Sequence, residues 1–471
     1  MGQMLPDDSA LPQLAIALNA ETILREFRTV CSSNNHKAEP VSCEVDRIKY
    51  RPGRNCIIGY KLVLIDRESG NLREQRLCAG IYAPAEAQAR FEKSLQGKLI
   101  ETAYLPPVFL INNLSMVVWT FPNERKLGAL LAMTDMPTLK NELLPQAVEA
   151  RWGPDWKITY LTSGLVCYFP EHTCTIKAHI HLLNVRSGMT QEWEVFGKTC
   201  YDDAGARVLR HMETLWDSPS VDVRYARPLC YQSDHRLLWQ EKVPGVTLES
   251  ILGNSIIDDT LLARVAKAIA ALHCTPLTDT RPHDVETIRE RLLAVLAIVN
   301  STRPDIASLT ESTIQKLLYR IDSLDTRFNA TLHGDLHSNN IMVDGNHVHL
   351  IDMDRISHGP PLAELGSFLA EIIYRACLNG KPVPWWLLTD IVESYRASVP
   401  WPVEDVEVDW YTASALIHER IFRCVTSIKP GRMEIAGLLA DIAARLAPGK
   451  ACRQPNRSVP ASREMVHHAK A

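Results

Sequence analysis

The residues of this chain whose types and spacing could do chemistry lie close together, in HGDLHSNN (333–340) and LIDMD (350–354). Moving a phosphoryl group requires a carboxylate beside the acceptor hydroxyl and oxygen ligands for the magnesium that bridges the nucleotide phosphates. Magnesium takes hard oxygen donors, commonly one or two from protein and the rest from phosphates and water. Asp335 and Asn340, five residues apart on one loop, can supply the base and one ligand. The apolar VHLI segment then delivers Asp352 as a second ligand. Between them, Asp344-Gly345-Asn346 has hairpin composition, so a strand pair would hold the two loops side by side.

The elements that must position these groups are also readable. A chain of 471 residues is too long for one ordinary core and predicts two or three folding units. Two stretches repeat one pattern, PGRNCIIGYKLVLIDRESG from Pro52 and PEHTCTIKAHIHLLNVRSG from Pro170. Their offset is 118 residues at Cys56/Cys174 and Ser69/Ser187, and 119 at Tyr82/Tyr201. So steady an offset favours duplication over chance likeness of two β-meanders. Alternation in both copies predicts strands joined by Ser-Gly hairpins. PLCYQSDHRLLWQEKVPG reads as two further strands and a connector, and from Thr247 the pattern becomes mainly helical. DDTLLARVAKAIAALH places Leu261, Leu262, Val265, Ile269 and Leu272 on one helical face. Helices continue to about Leu446, and the tail from Pro448 is expected to be disordered.

HGDLHSNNI followed by LIDMD resembles the catalytic loop and metal-binding strand of aminoglycoside phosphotransferases, choline kinases and related small-molecule kinases. The resemblance implies an α+β, protein-kinase-like two-lobed fold, with an antiparallel β small lobe and a mainly helical large lobe. Here a duplicated, degenerate small-lobe-like domain would precede it. The expected divisions are 1–145, 146–245, 246–447 and a tail of 448–471. The resemblance implies Asp335 as catalytic base, His333 as loop organiser, and Asn340 and Asp352 as ligands of Mg2+. Asp354 fits the family's second acid, and Glu364 stands where an acid braces the catalytic loop. Upstream, Lys198 resembles the strand lysine that contacts phosphates, with Glu213 on the next helix as its ion-pair partner. QEKVPG resembles the hinge, where Glu241 and Val243 would offer backbone groups to the base of ATP or GTP. These matches span roughly residues 155–430. A glycine-rich phosphate loop is absent, since LTSGLVCYFPEHTCTIK has only Gly164. In the N-terminal copy Ala79 or Gly80 falls opposite Lys198. That copy is therefore read as degenerate, retained for packing, homodimerisation or substrate capture.

Composition narrows the alternatives. Net charge is −4, which gives no support for a nucleic-acid partner. The opening residues lack a secretory pattern, and Pro6 spoils a myristoylation motif. No run approaches the 18 or more apolar residues that span a bilayer. Twelve cysteines without CxxC pairs suit a reduced, cytoplasmic protein. A protein kinase is disfavoured by Gly334, where that class has Arg, and by the short span from Asp354 to Glu364. Trp385, Trp386, Trp410, Tyr411, Glu419, Arg420 and Arg423 could meet a substrate, but the aromatic residues are expected to be packing anchors. The reading is a phosphotransferase acting on a hydroxyl of a small polar acceptor. The competing class is a catalytically silent, nucleotide-binding scaffold.

Overall fold

The computed structural model describes residues 8–33, 37–218, 220–253, 259–427 and 431–447, so the tail from Pro448 lies outside the described residues. The two meanders build two five-stranded antiparallel sheets of one topology. The first holds β1 (Ala38–Arg51), β2 (Asn55–Asp66), β3 (Leu72–Ile81), β4 (Val108–Ile111) and β5 (Met116–Thr120), in the order β1-β2-β3-β5-β4. The second begins with β6 (Trp156–Phe169), β7 (Thr173–Asn184) and β8 (Thr190–Cys200). Past β9 (Arg224–Tyr225), which joins another sheet, β10 (Pro228–Gln232) and β11 (Leu237–Glu241) complete it, and β6-β7-β8-β11-β10 repeats the first order.

The copies agree in detail. Cys56 pairs with Ile81 and Cys174 with Thr199, both partners shifted by 118 residues. Each Ser-Gly hairpin has an Asp or Asn side chain, Asp66 or Asn184, accepting two backbone N–H groups of the turn. Each turn ends on a left-handed glycine, Gly70 at φ 69° and Gly188 at φ 70°. Before β5 and before β11, a short 3-10 turn ends on a left-handed residue, Ser115 or Arg236. Helix α1 (Leu14–Ala17) and α2 (Ala20–Ser33) cover the first sheet through Leu14, Ile23 and Phe27. α3 (Pro84–Leu95) follows β3. Then come α4 (Leu130–Thr134), α5 (Met136–Thr138) and α6 (Leu144–Trp152), of which α6 packs on β6 and β10 of the second sheet. α7 (Gly205–Asp217) follows β8 as α3 follows β3.

The two sheets differ in what their second faces meet. On β7, Cys174, Ile176, Ala178, Ile180 and Leu182 are buried, and the intervening residues face outward with Lys198 of β8. In the first sheet both faces are buried: Ile57, Cys78, Val117 and Trp119 share a core with Leu127, Leu130, Met133 and Leu139. Gly80, which stands at the Lys198 position, lies under the Tyr82 ring. A Cβ there would sit 2.3 Å from the Tyr82 hydroxyl. The N-terminal sheet is thus a small-lobe copy whose open face is filled.

The large lobe holds α8 (Leu248–Gly253), α9 (Asp259–His273), α10 (Val285–Thr302), α11 (Pro304–Arg320), α12 (Pro361–Leu378), α13 (Trp385–Arg396), α14 (Asp405–Ala415), α15 (Phe422–Ser427) and α16 (Arg432–Leu446). Leu261, Leu262, Val265, Ile269 and Leu272 of α9 are all buried, as the periodicity predicts. Burying each such side chain is worth about 1.5–3 kcal/mol. Within this lobe β12 (Val246–Thr247), β13 (Arg281–Pro282), β14 (Ala330–Leu332), β15 (Ile341–Asp344), β16 (His347–Leu350) and β17 (Ser357–Gly359) form two small sheets, β12-β15-β16-β9 and β13-β17-β14. They carry the two loops of interest.

Candidate active site

Strand β14 leads directly into His333-Gly334-Asp335. Gly334 has φ 79°, and a Cβ on it would meet the Arg355 carbonyl oxygen at 2.0 Å. A left-handed turn pressed against neighbouring backbone requires glycine on both counts. His333 is fully buried. Its Nε2 lies 2.8 Å from the Ile351 carbonyl, which can only accept, so Nε2 carries the proton. The N–H groups of His333 and Gly334 donate to the two oxygens of Glu364, at 2.8 and 2.7 Å. His273 Nε2 donates to the same carboxylate at 3.0 Å, while its Nδ1 meets the Tyr395 hydroxyl at 2.6 Å. Burial opposes ionisation of Glu364, but its hydrogen bond with His273 and the His333 charge and N–H prevail and hold it below the usual carboxylate range. Glu364 therefore braces the turn that carries Asp335.

Asp335 keeps 36% of its side chain exposed and lies 3.9 Å from the Arg355 guanidinium. Asn340 is buried, and its Nδ2 donates to the Asp335 carbonyl at 3.0 Å. That bond turns the amide oxygen away, free for another partner. The Asn340 carbonyl accepts from Ile351 N–H at 3.0 Å, so Ile351 ties the catalytic loop to the following strand from both sides. One residue on, Asp352 adopts φ 69°, ψ 55°, a left-handed conformation rare for a residue other than glycine. Such strain recurs where a side chain must be aimed.

Lys198 closes the constellation. Its ammonium sits between the carboxylates of Asp352 and Asp354, 2.5 Å from the latter. Burial works against the ammonium, yet Asp354 and Asp352 outweigh it and raise the Lys198 pKa. Burial likewise pushes Asp352 up but Lys198 pulls it below its ordinary value, whereas for Asp354 burial prevails and the pKa rises. The Asp352 carboxylate and the Asn340 amide oxygen are the hard donors a magnesium ion prefers.

Two sequence expectations fare differently. Glu213 does not reach Lys198. Val208, His211, Met212 and Leu215 turn to the core, which leaves Glu213 exposed on the far side of α7, and the two aspartates take its place. The Glu241 side chain is also engaged elsewhere, by Arg151 at 2.6 Å and the Trp193 indole at 3.2 Å. Its N–H donates to the Arg227 carbonyl. Val243 is buried in the large-lobe core. Trp410 and Tyr411 are packing anchors, with the Trp410 indole N–H donating to the Leu317 carbonyl at 3.0 Å. Arg420 is buried against Glu371 at 3.0 Å, while Trp385 and Trp386 stay exposed. Sequence reasoning missed Glu249, which accepts from Ser338 Oγ at 2.5 Å and pairs with Arg375 at 2.9 Å beneath the catalytic loop. No local pattern marks it, because its partners lie 89 and 126 residues away.

Residues 204–378 match the sequence model of the APH phosphotransferase enzyme family. Over those residues, somewhat more than a third of its length, the chain is similar to that family. The matched segment contains Asp335, Asn340, Asp352 and Glu364 and begins just after Lys198. Motifs and family agree on an enzyme of the small-molecule kinase class. No curated protein matches the chain significantly in sequence. Similar solved structures include a thermostable mutant of an aminoglycoside phosphotransferase in ternary complex with ADP and hygromycin B (14% identity, 65% of this chain and 99% of that chain, TM-score 0.42). A choline kinase from Cryptosporidium parvum Iowa II has 11% identity, covering 61% of this chain and 89% of that one, with TM-score 0.40. A macrolide 2'-phosphotransferase from Brachybacterium faecium has 15% identity over 65% of this chain and 98% of that one, with TM-score 0.40. No helix among the described residues is long and apolar enough to cross a membrane.

Proposed function

We propose that this protein moves the terminal phosphoryl group of ATP to a hydroxyl of a small polar acceptor. The observation that carries this reading is Lys198 lodged between Asp352 and Asp354, on the strand pair that also presents Asp335 and Asn340. Asp335 accepts the hydroxyl proton as the acceptor oxygen attacks the terminal phosphorus. The bond from that phosphorus to the bridging oxygen breaks, and ADP leaves with the electron pair. Asn340 and Asp352 are the residues that would hold magnesium, which when bound offsets phosphate charge and orients the nucleotide. Lys198 then exchanges part of its pairing with the aspartates for the phosphates. His333 and Glu364 keep Asp335 aimed. The Glu241 carbonyl and the Val243 N–H are the hinge groups offered to the base, since the N–H groups of Glu241 and Lys242 are already given to Arg227 and Glu194.

The test is transfer of labelled terminal phosphate from Mg-ATP and, in parallel, Mg-GTP into a metabolite extract, with products separated by mass. Unaltered protein and Asp335→Asn are compared. A phosphorylated metabolite made only by the unaltered protein is expected, with ATP as the better donor. Equal product from both proteins would refute Asp335 as base.

A further inference from the structure

Kinase-like small lobes close over nucleotide phosphates with the hairpin between their first two strands, here the β6–β7 turn. This hairpin has no run of glycines, and it is not left free. Glu171 at its tip has φ 57° and is nearly buried. Its carboxylate receives Arg125 at 2.5 and 2.9 Å and Lys126 at 3.0 Å. Glu124 accepts the Glu171 N–H and the Tyr168 hydroxyl, each at 2.9 Å. The Arg47 guanidinium stacks 4.3 Å from the centre of the Phe169 ring. All four partners, Arg47, Glu124, Arg125 and Lys126, belong to the N-terminal copy. Three of them lie just past β5, where the second copy has its hinge just past β11. The same copy reaches the other lobe, because β1 packs against α15.

We propose that the N-terminal copy is a clamp on the nucleotide cleft, which fixes the phosphate hairpin through Glu171 and adds Lys49 to the phosphate-facing charge. This rests on the reading of the cleft as a Mg-ATP site. Lys49 shares a face of β1 with Arg47, two residues along the strand toward the tip. His172, next to Glu171, is held below its ordinary pKa by burial and by the positive charges of Arg355, Lys49 and Lys198 around it. Cations from the N-terminal copy, β8 and the large lobe thus converge on one turn, the arrangement that an anion relieves. An unpaired Glu171 would put a negative charge beside the phosphates, and Arg125 and Lys126 cancel it. A pinned hairpin also loses less freedom when nucleotide arrives than a glycine-rich one.

The experiment is calorimetric titration of the full chain with Mg-ATP and, separately, with adenosine. The variants are Lys49→Met, the double variant Arg125→Met with Lys126→Met, and the reversed pair Arg125→Glu with Glu171→Arg. Mg-ATP binding should weaken about tenfold in the first two, the scale of one charge-assisted contact. Adenosine, which lacks phosphates, should change less than about twofold, and the reversed pair should regain much of the loss. Unchanged Mg-ATP affinity, or an equal fall for adenosine, would overturn the clamp. Lys49 is exposed, so its variant reads the charge even where the variants that disturb the buried Glu171 carboxylate fold poorly. Absence of Mg-ATP binding by the unaltered chain would instead sink the nucleotide reading, and the clamp with it.

Discussion

At Gly334 and Asp352 the backbone, as much as the side chain, makes the site. Replacing Gly334 by alanine forces a Cβ into the Arg355 carbonyl at a left-handed φ. The expected cost is about 1–3 kcal/mol, visible as a lower thermal midpoint, with transfer lost because Asp335 shifts. Asp335→Asn keeps the fold and Mg-ATP affinity while transfer falls by about 10²- to 10⁴-fold, the share general-base catalysis supplies. A rate close to wild type in that variant would remove Asp335 from the mechanism. Glu364 makes a third statement. Its folded pKa is depressed, so its stabilisation is fully present above the ordinary carboxylate value of about 4.3 and is lost as pH falls through the lower, folded value. Thermal midpoints measured from pH 6 downward should therefore drop in that acid window, and Glu364→Gln should flatten the drop.

Among the elements, α7 shows where sequence reading ends. The family resemblance implies Glu213 on this helix as the partner of Lys198, but orientation is set by which side chains are buried. Val208, Met212 and Leu215 fix that orientation, and Glu213, about 100° round from Met212, points to solvent. Glu213→Gln should leave stability within about 0.5 kcal/mol and transfer unchanged. A large loss of transfer would mean that α7 rotates toward Lys198 when nucleotide binds. The catalytic loop and metal strand were legible because Asp335, Asn340 and Asp352 fall within 18 residues joined by one hairpin. The face of α9 was legible because burial and 3.6-residue spacing agree. The brace at Glu171 was not, since Arg125 and Lys126 stand some 46 residues upstream and only the packing of two sheets joins them.

For the molecule as a whole, the duplication was readable in Cys56/Cys174 and the matched hairpins, but the fate of the first copy was not. Tyr82 over Gly80, and the apolar connector against Ile57 and Trp119, leave that copy no room for a nucleotide. One Mg-ATP per chain is the stoichiometry expected in titration. Two per chain would show that the first sheet opens. The repetition carries a further cost during folding. Two sets of strands with equal order, equal turns and matched pairing compete for partners within one chain, and hydrogen-bond register alone cannot tell them apart. Side chains must make the choice. One sheet closes around Phe27, Tyr60 and Phe109, the other around Trp152, Trp193 and Trp239. Divergence between the copies is thus more than decay of an idle site: it keeps strands from exchanging between twin sheets as the chain folds.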